Sequence, residues 1–159
     1  MKTRFLFPNQ FKTLGWILFV PSLILGILYS INNEILKSFL KIKVFAIAET
    51  QLFNYNSYFK FVENDIIDEL ILIGLIIGGI FIGFSKLKNE DEYISKIRYE
   101  SLVWATYLNY ALIIIFTLFL YGFAYLSIVF YNLFTLLLFF IIRFHYTIYK
   151  LNKANRDDE

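Results

Sequence analysis

The fold is decided by the stretch Leu102–Phe144, which reads LVWATYLNYALIIIFTLFLYGFAYLSIVFYNLFTLLLFFIIRF. It consists of two apolar runs, Leu102–Gly122 and Leu126–Phe144, and its first charged residue is Arg143. The tetrapeptide Gly122-Phe123-Ala124-Tyr125 leaves room between the two runs only for a tight turn. We therefore predict two adjacent antiparallel helices that form a hairpin, with the turn at these four residues.

Two further apolar runs precede this hairpin, Leu14–Ile31 and Ile66–Phe84. The hydrocarbon core of a bilayer is about 30 Å thick, and about 20 residues of α-helix cross it. All four runs are close to that length, and the charged residues lie in the connections or at the helix ends. The sequence thus predicts an all-α membrane protein with four transmembrane helices that form a single domain over residues 1–159.

The composition argues against several classes of protein and of chemistry. Hydrophobic residues make up 58% of the chain and charged residues only 18%, too few for the surface of a soluble domain of this size. The net charge of +2 and the lack of a basic stripe argue against nucleic acid as a partner. The chain contains no cysteine, which excludes disulfides, thiolate metal sites and cysteine nucleophiles. We expect no cofactor and no enzymatic activity.

The distribution of lysine and arginine predicts the orientation. Of the 15 basic residues, 11 lie before the first run, between the second and third runs, or at and after the end of the fourth. Basic residues favour the cytoplasmic side of short loops, so we predict that both termini are cytoplasmic. Lysine outnumbers arginine by 11 to 4, a usage typical of AT-rich coding sequences, which favours the inner (plasma) membrane of a bacterium.

The second run carries four glycines in two small-xxx-small pairs, Gly74/Gly78 and Gly79/Gly83. Glycine lets two helix backbones approach closely and gain dispersion contacts. Helix packing within the chain is the interpretation that we favour. The alternatives are a homodimer interface and the thin wall of a ligand path.

Acidic residues mark the start of the second run, at Asp65, Asp68 and Glu69. Leu70–Phe84 alone is too short to cross a bilayer, which places Asp68 and Glu69 at the outer interface. Carboxylates there complement the positive end of the helix dipole, and Asp65 can cap free N–H groups. The alternative is an acidic mouth that gathers cations or binds a divalent ion, although one helix offers few oxygens for such a site.

Residues 89–101 form the most patterned polar segment of the chain. Asn89 and Glu92 have the spacing of a capping box, and Glu92, Lys96 and Glu100 follow one another at i,i+4. We predict that this segment extends the third span into the cytoplasm as a solvated helix with internally paired charges. A docking surface for a cytoplasmic partner is the alternative.

Few polar side chains lie within the hydrocarbon region. Counting outward from the hairpin turn places Asn109 within one or two turns of Asn132 and Thr135, so a hydrogen bond between the helices is feasible. We expect it to hold the hairpin together. A polar path is the alternative, but there is no acid or base at mid-depth to carry protons.

Arg143 and His145 end the fourth run on the inner side, where cationic groups suit a helix C-terminus. Arg143 can reach the headgroups, or meet Trp104 or Glu100 across the hairpin. His145 is the only histidine of the chain, so a metal site or a histidine relay has no visible partners. We assign no catalytic, cofactor-binding or metal-binding residue.

The outer connection, residues 32–65, is too long for a simple turn. Leu40–Val44 and Tyr58–Val62 are candidate strands. An interfacial helix that uses the apolar side chains of residues 35–40 competes for the first part. We therefore predict an outer loop that is partly structured.

One stretch carries a resemblance to a known group of proteins. The run Glu90–Tyr110, EDEYISKIRYESLVWATYLNY, resembles one in small uncharacterised bacterial inner-membrane proteins of four spans. Asn64–Glu69 and Phe140–Phe144 fit the same pattern, whereas Leu87 departs from it because an acid is usual there. The resemblance covers roughly the last hundred residues. It implies a membrane location and no established activity.

These observations favour a non-enzymatic membrane helical bundle with a scaffolding, accessory or sensory role. Its partners would be the lipid bilayer and either further copies of the chain or another membrane protein. The alternative, from a different class, is a small channel or transporter subunit that uses Asn109, Asn132, Asp68 and Glu69.

Overall fold

The computed structural model describes residues 5–31, 41–49, 57–88 and 90–157 and is mostly helical. Its elements, in chain order, are α1 (Gln10–Ile31), β1 (Lys41–Glu49), β2 (Ser57–Asp65), α2 (Ile67–Phe84), α3 (Glu92–Phe119) and α4 (Phe123–Asp157). They fall into two compact units. The first comprises the residues up to Pro21 together with those from Gly74 onward, and the second comprises Ser22–Ile73.

Among the described residues, four helices are long and apolar enough to cross a membrane, which confirms the predicted number of such helices. α1 begins at Gln10, earlier than the predicted Leu14, and α2 lies within one residue of its predicted run. The predicted inner extension and the third run form one unbroken helix, α3. Its N-cap is Asp91, whose carboxylate accepts a hydrogen bond from the Ile94 N–H at 2.7 Å. Asn89, the predicted cap, lies outside the described residues.

The fourth helix continues well beyond the predicted end of its apolar run at Phe144. α4 is 35 residues long and ends at Asp157. After Phe144 its sequence becomes polar, but Ile148 and Leu151 still pack against the core. Because these residues follow Phe144 at helical spacing, the apolar face continues along the same side of the helix.

The reversal between α3 and α4 is tighter than the predicted turn at Gly122–Tyr125. Leu120 caps α3, and its N–H donates to the Phe116 carbonyl at 2.8 Å. Gly122 follows with a φ of +66°, a left-handed conformation that strains any residue with a side chain. The connection therefore comprises only Leu120, Tyr121 and Gly122, and α4 starts directly after the glycine, at Phe123.

The core of the first unit lies between α3 and α4. Ile94, Ile97 and Ala105 of α3 belong to one buried cluster with Phe140 and Phe144 of α4. Both phenylalanine side chains and Ala105 have no exposed surface. The two rings stack with their centroids 6.0 Å apart. Truncation of a buried phenylalanine of this kind typically costs about 3–5 kcal/mol.

A close approach of α1 and α2 depends on two glycines, Gly15 and Gly78. A Cβ atom added to Gly78 would lie 2.8 Å from the backbone N of Phe19 and 3.0 Å from the Gly15 carbonyl oxygen. A Cβ atom added to Gly15 would lie 2.9 Å from the backbone N of Ile82. These distances are shorter than real Cβ contacts, and the obstructing atoms belong to the backbone. Neither position therefore accepts a side chain unless the helices separate.

The other predicted packing glycines of α2 have different surroundings. Gly79 and Gly83 face side chains of α4, where added Cβ atoms would meet Leu137 at 3.4 Å and Phe140 at 2.5 Å, respectively. Gly74 is only partly buried. The four glycines thus do not act as two equivalent pairs, because Gly78 faces α1 while Gly79 and Gly83 face α4.

The second unit contains an antiparallel β-hairpin, which makes the fold mostly helical rather than all-α. β1 and β2 pair from Lys41 opposite Asp65 to Glu49 opposite Ser57. Both predicted strands are present, and both are longer than expected. The rings of Phe45 and Phe61 lie 5.5 Å apart on one face. The competing interfacial helix, at residues 35–40, lies outside the described residues.

The neighbouring glycines of α2 provide a matched test of helix packing. We expect Gly78→Ala to lower the free energy of unfolding by about 1–3 kcal/mol, because the methyl group must displace the backbone of α1. Gly79→Ala places its methyl group at ordinary contact distance from a flexible leucine, and should leave stability unchanged or raise it by up to about 1 kcal/mol. The measurement is denaturation in detergent micelles followed by circular dichroism. Equal losses in the two variants would contradict the assigned close approach.

Candidate functional site

The most concentrated polar centre among the described residues is an ion pair between Arg98 and Glu90. Arg98 lies on α3 and is only 5% exposed. Its Nη1 donates to Glu90 Oε1, and its Nη2 donates to Glu90 Oε2 at 3.1 Å. The same Nη2 also donates to the Ser85 carbonyl oxygen at 3.2 Å, directly after α2. Such bidentate, charge-assisted pairs are the strongest hydrogen bonds that side chains make.

The connection between α2 and α3 positions Glu90 for this role. The Leu87 N–H donates to Glu90 Oε2 at 2.8 Å, so the carboxylate also stabilises the turn of the connection. The N-terminal segment lies alongside it: the Phe7 N–H donates to the Phe84 carbonyl, and the Lys86 N–H donates to the Phe7 carbonyl, each at 2.9 Å. Glu90, the partner of Arg98, is therefore held by a connection whose backbone is hydrogen-bonded to the N-terminal segment.

The face of the Arg98 guanidinium is covered by an aromatic ring of α4. The Arg98 Cζ lies 4.9 Å from the centroid of the Phe144 ring, a cation–π arrangement. Two buried polar atoms of this centre, Arg98 Nε and Ser85 Oγ, have no hydrogen-bond partner among the described residues. One arginine thus links the end of α2, the start of α3 and the second half of α4.

Sequence reasoning missed this centre and treated the start of α3 as solvated. That prediction is wrong at Arg98, although the expected Lys96–Glu100 pair is present on the exposed side with its N and O atoms 3.9 Å apart. The missed signal is a stripe of buried positions at three- and four-residue spacing. Arg98 lies on this stripe, whose other members are Ile94, Ile97, Ser101, Ala105 and Asn109.

The three predicted intramembrane polar residues come together between α3 and α4. Asn132 Nδ2 donates to Asn109 Oδ1 at 3.0 Å, and the Thr135 hydroxyl donates to the same oxygen at 2.9 Å. Asn109 is 3% exposed. A cavity of about 240 Å³ with mainly apolar walls lies beside this cluster. The three groups satisfy one another, and this joins the two helices.

The inner-interface residues predicted on α4 make separate contacts. The Arg143 Cζ lies 4.6 Å from the centroid of the Trp104 ring, so the arginine meets α3 through a cation–π contact. The Nδ1 of His145 lies 3.0 Å from the carbonyl oxygen of Ile141 on its own helix. The His145 ring also packs edge-on against Trp16 of α1, with the centroids 5.7 Å apart. The contacts with Trp104 and Trp16 join α4 to α3 and α1.

The acidic residues that we predicted at the outer interface surround the first turn of α2. Asp65 Oδ1 accepts a hydrogen bond from the Ile67 N–H at 3.3 Å, as a capping carboxylate does. The Asn64 side-chain amide donates to Glu69 Oε1 at 2.7 Å. Asp68 and Glu69 both lie in the first turn of the helix. Within the described parts of the chain, no three His, Cys, Asp or Glu side chains are grouped closely enough to share a metal ion.

Comparisons with protein-family models, with curated proteins and with solved structures gave no match to this chain. The described residues form two polar centres in the helical bundle and one cap at the start of α2. All three join secondary-structure elements to one another.

The Arg98–Glu90 pair can be tested against the exposed pair on the same helix. We expect Glu90→Gln to lower the free energy of unfolding by about 3–5 kcal/mol, because it leaves a buried guanidinium without a counter-charge. Glu100→Gln removes the partner of the exposed Lys96 and should cost less than about 0.5 kcal/mol. The measurement is again denaturation in detergent micelles.

A double variant completes this experiment. Arg98→Met combined with Glu90→Gln removes both charges, so it should be less destabilising than Glu90→Gln alone. Equal effects of Glu90→Gln and Glu100→Gln would contradict the structural role assigned to the buried pair.

Proposed function

We propose that this chain is a multi-pass protein of the bacterial inner membrane with both termini in the cytoplasm. It acts without catalysing a reaction, in a scaffolding, accessory or sensory role that depends on lateral association. The associated molecule is a second copy of the chain or another membrane protein. The observation that carries this proposal is the large apolar surface that the helices leave uncovered.

The uncovered surface supports a membrane location. Each helix contains an apolar stretch of 18 residues. The buried share of this stretch is only 11% in α1, α3 and α4, and 33% in α2. Ile114 and Leu118 of α3 are each 62% exposed, and Leu133 of α4 is 55% exposed. Soluble monomers rarely expose contiguous apolar patches larger than a few hundred Å². Lipid, or a further helix, covers such surfaces without contact with water.

The clustering of basic residues supports the orientation. The N-terminal segment pairs with the α2–α3 connection through Phe7 and Ser85, and Ile148 of α4 packs near Ile94 of α3. The described parts of the three basic regions therefore lie at one end of the first unit. Basic residues are enriched on the cytoplasmic side of membranes.

The use of the polar side chains supports a non-catalytic role. Arg98 and Glu90 bind each other, as do Asn109, Asn132 and Thr135. A catalytic group needs to be free to reach a reacting atom. These side chains are instead engaged in joining helices, which is what a structural or interaction protein requires.

The orientation can be tested with single thiols, because the chain contains no cysteine of its own. Three exposed positions are suitable for substitution, Lys43 in β1, Lys96 in α3 and Lys153 in α4. In intact cells, a membrane-impermeant maleimide should label Lys43→Cys alone. Lys96→Cys and Lys153→Cys should react only after the inner membrane is permeabilised. The reverse pattern would overturn the proposed orientation.

The same approach tests lateral association. A benzophenone attached through Ile114→Cys or Leu133→Cys should crosslink the chain, in native membranes, to a second copy or to one specific membrane protein. Attachment through Lys153→Cys is the control, because this exposed position lies on the polar part of α4, outside the apolar surface. If Ile114→Cys and Leu133→Cys yield only monomers, the proposed interaction role of this surface is contradicted.

A small channel or transporter subunit is the second candidate, and one observation favours it. The cavity of about 240 Å³ gives Asn109, Asn132 and Thr135 an open space on one side. Such a space beside polar groups is a feature of solute pathways.

Flux measurements distinguish the two candidates. We expect liposomes that contain the protein to pass ions and small polar solutes no faster than protein-free liposomes, because the polar groups satisfy one another. Flux that exceeds this background and falls in Asn109→Ala would favour the channel. Ser127→Ala is the control, because this hydroxyl bonds only the Phe123 carbonyl of its own helix at 3.1 Å.

A further inference from the structure

An open cavity of about 450 Å³ lies in the first unit, where the start of α1, the α2–α3 connection and the C-terminal part of α4 meet. Its polar lining includes two lysines, Lys12 and Lys88. Asn9, Thr13 and Asn152 add side chains that can donate hydrogen bonds. The volume falls within the usual range of small-molecule sites, about 300–1,000 Å³.

The lysines of this cavity make no ion pair within the part of the chain that the structure describes. Among the described residues, no acidic side chain lines the cavity. The ammonium groups of Lys12 and Lys88 have no hydrogen-bond or ion-pair partner among these residues. Glu90, an acid of the same connection, is already bound by Arg98 and by the Leu87 N–H. An anion would supply the counter-charge that the lining lacks.

The rest of the cavity wall is apolar. Leu87, Ile94 and Ile148 line it, and the last two also pack against the buried core. A free inorganic anion gains nothing from such a wall. A ligand with both a charged group and a hydrocarbon part would contact the lysines and the wall together.

The level of the cavity along α4 matches the headgroup region. Arg143 contacts Trp104, and both residue types are typical of the membrane interface. Ile148 follows Arg143 on the same helix by about 7.5 Å of helix rise, toward the polar C-terminus, and Ile94 precedes Trp104 on α3 by about 15 Å. The cavity thus lies on the polar side of Trp104, the side on which lipid headgroups are found.

We propose that this cavity binds the phosphate-bearing headgroup of an anionic membrane lipid. The phosphate contacts Lys12 and Lys88, and the glycerol and upper acyl chain lie against Leu87, Ile94 and Ile148. This inference rests on the proposed membrane location, and it adds a specific ligand to it.

The test compares lipid retention by two variants with equal changes of charge. Lys12→Gln/Lys88→Gln removes the charge of the cavity. Lys150→Gln/Lys153→Gln removes the same charge from exposed positions of α4 that do not line it. Each protein is purified in detergent, incubated with phosphatidylglycerol or phosphatidylcholine, and examined by native mass spectrometry. Circular dichroism confirms that both variants keep the helical content of the wild type.

We expect the wild type to retain phosphatidylglycerol in preference to phosphatidylcholine. The cavity variant should bind phosphatidylglycerol at least about tenfold more weakly, whereas the control should bind it as the wild type does. Equal losses in the two variants, or no preference between the two lipids, would overturn the proposal. Glycerol 3-phosphate forms a further arm. If it binds as tightly as the lipid and with the same dependence on the two lysines, the cavity takes a soluble phosphate compound and the lipid assignment is wrong.

This experiment is independent of the orientation of the chain, because detergent exposes both ends of the protein. Reversed thiol labelling in cells would overturn the proposed orientation and leave lipid retention unchanged. Loss of selective lipid retention would overturn the cavity assignment and leave the labelling pattern unchanged.

Discussion

A guanidinium that is removed from water has to be neutralised where it lies, because an unpaired buried charge costs several kcal/mol. In this chain that requirement joins Arg98 to Glu90. The Ser85 carbonyl accepts a further hydrogen bond, and the Phe144 ring covers the guanidinium face. Four separate parts of the chain, the end of α2, the connection that follows it, α3 and α4, are thereby held in one arrangement.

Away from this end, the helices are joined by contacts that do not depend on water. Helices that are already surrounded by lipid gain little from burying more apolar surface, so close packing and hydrogen bonds between helices decide their arrangement. Gly15 and Gly78 allow the close approach of α1 and α2, and Asn109 bonds Asn132 and Thr135 across the hairpin. These polar groups of the spans are therefore engaged in the fold, and the proposed interaction role is based on this engagement.

The buried ion pair also shapes the cavity beside it. Since both Glu90 oxygens are committed to Arg98 and to the Leu87 N–H, this carboxylate does not neutralise Lys12 or Lys88. The cavity lining thus keeps two lysines next to an apolar wall. One interaction therefore stabilises the connection and at the same time leaves these lysines available to an anion. In the membrane, anionic lipids have that chemistry.

Run length and alternation are local properties, so the amino-acid sequence predicts which segments are helical and apolar and indicates both strands. It also places Asn109 near Asn132, since a tight turn sets the register of two helices. The predicted turn is shifted from the observed one, because the φ of Gly122 is not visible in composition. The contact of Gly15 with Gly78, and the burial of Arg98 but not of Lys96, became visible only in the folded chain. Close approach and desolvation depend on neighbours that are distant in the chain.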